Sequence, residues 1–326
     1  MNKAKSVTLR HSLLLVLAAV IWGVAFVAQR EGGDATGPYT FNFLRSVIGS
    51  AVLLPVIKIL DKTKLNNKKP QTKEDKKQLL LGGLCCGICL SAASLLQQVG
   101  LYLGTPAGKA GFLTACYIVL VPIFGIFLKR RCGVNVWIAV AITVAGLYLL
   151  CIRGGFTIEH SDVLVLLSAL VYALHILSVD HFTNRNVDGL RMCSLQFLMA
   201  GVVSAVPMFF SEMHGNFSEV LPVLANAFGK EALVPLLYTA VMSSGVAYTL
   251  QIVGQRDVNP TVASLLMSME SVFSALAGWL ILGETLTLRE MGGCALIFFA
   301  ILLAQLPAGK NKHHSNKRIE NKEKAA

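Results

Sequence analysis

Long apolar stretches separated by short polar links make up most of the chain. The runs at 13–29, 79–103, 110–128 and 134–152 contain no charged residue. An α-helix satisfies its own backbone hydrogen bonds in lipid, so a run of about 20 apolar residues predicts a membrane-spanning helix. The pattern predicts an all-α integral membrane protein. Its ten predicted spans lie at residues 11–29, 39–58, 79–99, 107–128, 134–152, 161–180, 191–210, 232–253, 260–282 and 289–306.

The second half of the chain repeats the first. A shift of 154 residues gives five identities in the eleven positions 96–106, and these include Gln97 with Gln251, Gly100 with Gly254, and Pro106 with Pro260. The first two spans match the sixth and seventh at a slightly different offset, where Ile21-Trp-Gly lies opposite Val171-Tyr-Ala. Five spans per unit is an odd number, so the second unit enters the membrane the other way up. Residues 11–152 and 161–306 are therefore predicted to be inverted repeats, which are typical of secondary transporters.

Charge is sparse and unevenly distributed. Charged residues make up 14% of the chain, whereas soluble domains carry about 25%. With the N-terminus assigned to the cytoplasm, 23 of the 29 Lys and Arg residues lie on the cytoplasmic side and 5 on the outer side. This asymmetry predicts that both termini are cytoplasmic, with 307–326 as a basic disordered tail. The net charge of +11 is therefore a topology signal and does not indicate a nucleic-acid partner. The first span is predicted to be uncleaved.

Two local motifs resemble a nucleotide site and a metal site but lack the residues that either site requires. The stretch Gly104-Thr-Pro-Ala-Gly-Lys-Ala resembles a phosphate-binding loop, but the required glycine is Leu103 and the required hydroxyl residue is Ala110. Cysteines 85, 86 and 89 form the one cysteine cluster, in apolar surroundings that favour packing over metal binding. No cofactor and no metal are expected.

Four segments resemble the drug/metabolite transporter superfamily, in particular proteins with two EamA-type domains. They are Ile21-Trp-Gly, Phe43-Leu-Arg, residues 107–122 (AGKAGFLTACYIVLVP) and residues 267–284 (MSMESVFSALAGWLILGE). The resemblance covers about residues 11–306. It implies a ten-helix transporter whose central cavity exchanges small polar or amphipathic solutes, commonly for metabolite export. Many relatives place proline where this chain has Ser271, so the ninth span is expected to bend less.

Two charged residues lie well inside the predicted spans, where charge is costly and marks a functional candidate. Arg45 lies roughly 9 Å along the second span, and Glu270 lies roughly 15 Å deep in the ninth. Arg45 either attracts an anionic group of the solute or fixes a helix pair, and its resemblance to the arginine common in this span favours the structural role. Glu270 is either the carrier of a coupling proton or a permanently paired carboxylate. The sequence does not show whether the two side chains meet.

Uncharged polar and aromatic residues are expected to line the cavity. Trp22 and its approximate twin Tyr172 are candidates to stack on a solute or gate it, with packing as the alternative. His175 lies one turn from Tyr172 and either binds and relays protons or bonds to a neighbouring helix. The further cavity candidates are Asn42, Tyr117, Gln196 and Tyr248.

The repeated stretches themselves are predicted to form gates and turns. The residues concerned are Gln97, Gly100, Pro106, Gln251, Gly254 and Pro260. Because Gln97 and Gln251 lie near span ends on opposite membrane faces, we expect that they do not share one site. Lys109 is expected to reach the membrane interface. Gly283 and Glu284 are expected to end the ninth helix.

The sequence therefore predicts a secondary transporter of the inner or plasma membrane. It moves small metabolites or drug-like solutes by alternating access, in the export direction, with proton or gradient coupling as an option. The partners expected are a small-molecule solute and the lipid bilayer. A channel-like pore and an integral-membrane enzyme are the alternatives, although no filter sequence and no clustered catalytic set is visible.

Overall fold

The fold consists of helices throughout the part of the chain that the structure describes. The structure is a computed structural model that describes residues 3–63, 69–129, 133–152, 158–185, 187–282 and 287–305. The α-helices are α1 Lys3–Thr36, α2 Pro38–Lys62, α3 Lys73–Tyr102, α4 Ala107–Ala115, α5 Tyr117–Phe127, α6 Val134–Cys151, α7 His160–Thr183, α8 Gly189–Pro207, α9 Val220–Ala227, α10 Lys230–Leu237, α11 Tyr248–Gly254, α12 Pro260–Met267, α13 Glu270–Leu282 and α14 Leu288–Gln305. π-Helical turns continue α8 over Met208–Glu212 and join α10 to α11 over Tyr238–Ala247. The tail 307–326 and the predicted helix stop at 283–284 lie outside the described residues.

Nine helical segments within the described ranges are long and apolar enough to cross a membrane. They coincide with the first nine predicted spans, with ends that differ by a few residues. The described part of α14 is not among the nine, so the tenth span is not established by length and hydropathy. The chain is accordingly an all-helical, multi-pass membrane protein.

The surface is apolar and much of the interior is polar, which is the arrangement a lipid environment requires. Large apolar side chains are exposed along the helices, among them Leu13, Ile59, Ile88, Leu198, Val202 and Phe298. Buried polar side chains occur at the helix contacts, among them Asn42, Gln97, Gln98, His175, Gln196 and Gln251. Each of these interior groups must find a partner within the bundle or in a ligand.

Two of the predicted spans are broken at equivalent positions. The fourth span breaks at Cys116, between α4 and α5, and the ninth breaks at 268–269, between α12 and α13. Hydroxyl and thiol groups bond to carbonyls one turn back on the same helix, as Ser268 Oγ does to Leu265 O and Cys116 Sγ does to Phe112 O. Such bonds bend helices. The ninth span is interrupted three residues before Ser271, and the expectation that it bends less there than in relatives with proline stays a prediction.

Helix contacts match between the two halves of the chain. α2 packs along α8 and α6 packs along α14, so spans that correspond by the repeat lie side by side. α3 packs on α7, and the corresponding segments α10, Tyr238–Ala247 and α11 pack on α1. α4 and α5 pack on α7, while α12 and α13 pack on α1. Exchanging the two halves therefore preserves the pattern of contacts.

The glycines of the repeated stretch allow two close helix contacts. A Cβ at Gly100 would lie 2.5 Å from Val165 Cγ2, and one at Gly254 would lie 2.9 Å from the carbonyl oxygen of His11. Both glycines lie within helices, α3 and α11, so they do not form the turns assigned to them from the sequence. The prolines do begin helices: Pro106 is the residue before α4, and Pro260 opens α12.

Buried charge pairs tie helix ends together. Lys109 Nζ lies 2.5 Å from Asp162 Oδ2, and Thr105 Oγ1 donates to Asp162 Oδ1 at 3.1 Å, which joins the start of α4 to the start of α7. The expectation that Lys109 reaches the interface is wrong, because its side chain is only 16% exposed and is held by a carboxylate. At the other end of the bundle Arg191 bridges Asp61 of α2 and Asp188 before α8.

Candidate functional site

A cavity of about 500 Å³, counting the space at its mouth, lies among helices from both halves of the chain. Its walls combine aromatic rings with a few convergent polar groups. The lining residues are Trp22, Phe26, Gln29, Arg45, Gln97, Thr114, Tyr117, Tyr172, Ile176, Ser243, Tyr248, Gln251, Met267 and Glu270.

Arg45 is held in the cavity wall by neutral partners. Its Nε donates to Asn42 Oδ1 at 2.9 Å, one turn back on α2, and its Nη1 donates to Gln29 Oε1 of α1 at 2.8 Å. Asn42 is itself fixed, because its Nδ2 donates to Ser204 Oγ at 2.8 Å and lies 3.3 Å from Ser94 Oγ. The guanidinium is therefore oriented by a network that neutralises none of its charge.

Glu270 enters the cavity from a helix break. It is the first residue of α13, and its Oε1 accepts a hydrogen bond from the hydroxyl of Tyr117 at 3.3 Å. Tyr117 is the first residue of α5, immediately after the other break. Both side chains are buried to at least nine-tenths. The two interruptions of helix thus place a carboxyl and a phenol against each other in the bundle interior.

The two buried charged groups line one cavity without contacting each other. The hydrogen bonds of Arg45 go to Asn42 and Gln29, and that of Glu270 comes from Tyr117. No ion pair within 4.0 Å joins them in the part of the chain that the structure describes. A buried charge left without a counter-charge is costly. Arg45, and Glu270 whenever it is ionised, therefore present an unmet electrostatic demand to whatever occupies the cavity.

Aromatic rings form the wall between these groups. Trp22 and Tyr248 meet edge to face with ring centroids 4.8 Å apart, and Phe197 supports Tyr248 from behind at 5.0 Å. Tyr172, the approximate repeat twin of Trp22, faces the same cavity from α7. This wall offers apolar area and ring faces that attract cations.

The repeat-related glutamines lie in the same cavity. Gln97 and Gln251 both line it, so the expectation that they cannot share one site is wrong. Gln97 Nε2 donates to Thr114 Oγ1 at 2.9 Å, and the Tyr172 hydroxyl lies 3.4 Å from Gln97 Oε1. Gln251 Oε1, by contrast, is buried without a hydrogen-bond partner among the described residues.

Three predicted cavity residues lie behind the wall. Asn42 orients Arg45, as described above. His175 Nε2 and Gln196 Oε1 lie 3.1 Å apart, both fully buried, and the imidazole packs 6.1 Å from the Tyr248 ring. His175 therefore bonds to a neighbouring helix, which was one of the two alternatives considered from the sequence.

Several lining residues were not singled out from the sequence. They are Phe26, Gln29, Thr114, Ile176, Ser243 and Met267. The repeat offered a signal for some of them, because Thr114 lies two residues after Phe112 in the fourth span and corresponds to the hydroxyl residue Ser268 in the ninth. Gln29 carried no such signal, since it lies at the end of an apolar run that the composition assigned to lipid.

No group of three or more His, Cys, Asp or Glu side chains with metal-binding geometry is found within the described ranges. Cys85, on the exposed side of α3, contacts Ser178 Oγ of α7 at 3.7 Å, while Cys86 is buried in an apolar cluster. These thiols lie in helix packing and away from the cavity lining.

Comparison with known sequences identifies the chain. The sequence pattern of the EamA-like transporter family matches twice, at residues 9–152 and 160–306. The chain belongs to the EamA-like transporter family. The two matches fall on the two halves that the shift of 154 residues relates.

Relatives of this EamA-like transporter extend over most of its length. An uncharacterized transporter of Archaeoglobus fulgidus is 27% identical over 90% of this chain and 84% of its own. The inner membrane transporter YedA of Escherichia coli K12, also uncharacterized, is 24% identical over 88% of each chain. A probable terminal-alkyne amino-acid exporter of Streptantibioticus cattleyicolor is 26% identical over 65% of this chain and 68% of its own.

A solved crystal structure shares the fold. It superimposes with a TM-score of 0.70 over 95% of this chain and 99% of the other, at 18% identity. At that identity the likeness concerns the fold alone.

Proposed function

We propose that this EamA-like transporter is a secondary carrier that exports small zwitterionic solutes, amino acids among them, by alternating access. The observation that carries the proposal is the pair of buried groups Arg45 and Glu270, which line one cavity without an ion pair between them. A zwitterion supplies both missing partners at once. Its carboxylate fits the guanidinium, and its ammonium fits the carboxylate of Glu270 and the neighbouring ring faces.

The relatives support this direction and class. One of them is named a probable terminal-alkyne amino-acid exporter, and another an uncharacterized inner membrane transporter. We accordingly assign this chain to the inner or plasma membrane. The apolar wall formed by Trp22, Tyr172 and Tyr248 favours solutes with an apolar side chain over small hydrophilic ones.

The helix packing supports alternation between two states. We propose ten spans arranged as inverted repeats, with both termini in the cytoplasm and α14 as the tenth span. The contact pattern is preserved when the halves are exchanged, which is expected if each half can adopt the other's arrangement. One arrangement opens the cavity to one face of the membrane, and its exchanged form opens the cavity to the other.

Glu270 is the residue we assign to coupling. It is a buried carboxyl that faces the cavity and has one hydrogen-bond donor, Tyr117, in the described part of the chain. A carboxyl so placed can hold either a proton or the ammonium of the solute, and competition between the two couples solute release to proton entry. A proton gradient then drives export.

The test uses purified protein in liposomes and three matched probes. They are radiolabelled L-phenylalanine, its amide, which lacks the carboxylate, and 3-phenylpropionate, which lacks the ammonium. We expect saturable counterflow of the zwitterion and at least tenfold slower exchange of the other two. Equal transport of all three would overturn the assignment of Arg45 and Glu270 as a complementary pair. Flux that never saturates would indicate a pore, and chemical conversion of the probe would indicate an enzyme.

A further inference from the structure

Two repeat-related glutamines, Gln97 and Gln251, stand in different bonding states within one cavity. We propose that they exchange these states during transport, so that each in turn closes one end of the cavity while the other presents its amide to the solute. The inference rests on the proposed alternation between two states, and it does not depend on which solute is carried.

Gln97 is the bonded copy. Its Nε2 donates to Thr114 Oγ1 at 2.9 Å and so ties α3 to α4. Its Oε1 accepts from the hydroxyl of Tyr172 at 3.4 Å, which ties α3 to α7. The side chain is buried and both ends of its amide are engaged across helices.

Gln251 is the copy whose corresponding bonds are not formed. The shift of 154 residues converts Gln97 into Gln251 and Thr114 into Ser268, while the offset of 150 converts Tyr172 into Trp22. Gln251 Oε1 and Trp22 Nε1 are each buried without a hydrogen-bond partner among the described residues. Ser268 Oγ donates to Leu265 O of its own helix at 2.8 Å and makes no bond to Gln251. An acceptor and a donor that are bonded in one half are thus both orphaned in the other.

Buried polar atoms without partners are uncommon because each one costs free energy. Gln251 Oε1 and Trp22 Nε1 are an acceptor and a donor at positions equivalent to a bonded pair. Their lack of partners is explained if they bond to each other in a second conformation of the carrier. In a carrier built from inverted repeats, giving each half the conformation of the other yields the opposite state. In that state Gln251 Nε2 donates to Ser268 Oγ, Trp22 Nε1 donates to Gln251 Oε1, and Gln97 is released into the cavity.

The bonded glutamine joins the same helices as the buried ion pair. Lys109 and Asp162 join α4 to α7, the same two helices that Gln97 contacts. Gln98 Nε2 donates to Gln29 O at 2.8 Å, which brings the distal end of α1 to the same place. In the proposed exchange this is the state held together at the Lys109 end, in which the amide of Gln251 is available to the solute. With both termini in the cytoplasm, as proposed above, this end faces outward.

The experiment measures access to the cavity from each face with matched reporters. Phe26 and Ile176 both line the cavity and correspond at the offset of 150, one turn beyond Trp22 and Tyr172. Phe26→Cys and Ile176→Cys are each made the only cysteine in the chain, by replacing the eight native cysteines with alanine. Labelling by a membrane-impermeant maleimide is followed in vesicles of both orientations, without added solute.

Thr114→Ala and Ser268→Ala are the matched test variants. Thr114→Ala removes the partner of Gln97 in the present state, so labelling at Phe26→Cys should rise relative to that at Ile176→Cys. Ser268→Ala removes the partner of Gln251 in the opposite state, so the ratio should move the other way. Each change is expected to be about fivefold, which is what one hydrogen bond contributes to an equilibrium. Thr143→Ala, whose hydroxyl bonds only to Ala139 O of its own helix, is the control and should leave the ratio unchanged.

Opposite shifts support the exchange, and shifts in the same direction or no shift in either variant overturn it. If Thr114→Ala fails to fold, Tyr172→Phe removes the other bond to Gln97 and should shift the ratio in the same sense. Because labelling needs no solute, the expected shifts combined with absence of zwitterion counterflow would overturn only the solute assignment. The reverse combination would overturn only the exchange.

Discussion

The hydroxyl of Tyr117 donates to Glu270 Oε1 at 3.3 Å, across the two helix breaks of the bundle. Each residue begins the second helix of a broken span, and the shift of 154 residues places Tyr117 opposite Ser271, one residue beyond Glu270. At these breaks the backbone still forms hydrogen bonds between residues three apart, such as the one from Met269 N to Leu266 O at 3.3 Å. The breaks therefore turn a carboxyl into the cavity while the local backbone remains hydrogen-bonded.

Replacing Glu270 tests whether it carries the coupling proton. Glu270→Gln keeps the size of the side chain and its ability to accept from Tyr117, but it removes the titrating group. We expect solute flux driven by a pH gradient to fall at least a hundredfold at every solute concentration. Counterflow at equal pH should persist at saturating solute, with a half-saturation concentration raised roughly 10- to 100-fold because the partner of the solute ammonium is lost. The measurement is uptake of radiolabelled solute into liposomes under each condition.

Tyr117→Phe is the matched control for this substitution. It removes the hydroxyl that contacts Glu270 but leaves the carboxyl in place, so pH-driven flux should persist at a level reduced only a few-fold. Equal loss of driven flux and of counterflow at saturating solute in Glu270→Gln would show that Glu270 serves solute binding or the fold alone and does not carry the proton.

Arg45 is expected to determine the affinity for the solute carboxylate. Arg45→Gln removes the charge while still offering donors to Gln29 and Asn42. The loss of one charge-assisted contact, about 1.5–3 kcal/mol, should raise the half-saturation concentration for a zwitterion by roughly 10- to 100-fold. The half-saturation concentration of Arg45→Lys should lie between those of the parent and Arg45→Gln, because an ammonium retains the charge but not the forked geometry.

The probe without a carboxylate separates binding from a structural role. If Arg45 contacts the solute carboxylate, Arg45→Gln should leave the residual exchange of the amide probe unchanged while it weakens that of the zwitterion. A drop for both probes, accompanied by a lower melting temperature in detergent, would instead indicate that Arg45 holds α2 to α1.

The arrangement of spans could be predicted from the sequence because it depends on apolar length, which a linear pattern records. The breaks could not, because they depend on bonds such as that from Ser268 Oγ to Leu265 O, and a serine is equally compatible with a straight helix. The absence of proline at Ser271 does not by itself keep the ninth span continuous, because the break lies at 268–269.

The sequence located most polar groups of the cavity but not their contacts. Arg45, Glu270, Trp22 and Tyr172 stand out because charge and paired aromatics inside apolar runs are visible in one dimension. Gln97 was misplaced because apolar run ends were taken as membrane faces, whereas α3 continues to Tyr102 and turns this side chain inward. Which buried groups lack partners is a property of the packed bundle, and no linear pattern reports it.

The ion pair between Lys109 and Asp162 is expected to stabilise the folded protein. Asp162 is almost fully buried and the Lys109 side chain is 16% exposed, so removing one partner strands the other. Lys109→Met should lower stability by about 1–3 kcal/mol, less than for a fully buried pair because of this partial exposure. Thermal unfolding in detergent gives the measurement.

A double-substitution cycle checks that the loss comes from the pair. Lys109→Met combined with Asp162→Leu removes both charges and should recover a large part of the stability lost by either change alone. Strictly additive losses would show that the ion pair itself adds little to the free energy of unfolding. Asp162 would then act mainly through its bonds to Thr105 and to the backbone of Glu159.

The glycines of the repeat are expected to be intolerant of any side chain. A Cβ at Gly100 would lie 2.5 Å from Val165 Cγ2 and 2.9 Å from the carbonyl oxygen of Ser161, and one at Gly254 would lie 2.9 Å from that of His11. Backbone atoms cannot move aside cheaply, so Gly100→Ala and Gly254→Ala should each lower the free energy of unfolding by about 1–3 kcal/mol.

Gly292→Ala is the matched control, because nothing lies within 4 Å of its Cβ position in α14. There alanine should be neutral or stabilise the helix by about 0.5–1 kcal/mol. The measurement is the melting temperature of each variant in detergent. Equal changes in all three variants would show that the helix pairs α3–α7 and α11–α1 are not packed as closely as the structure shows.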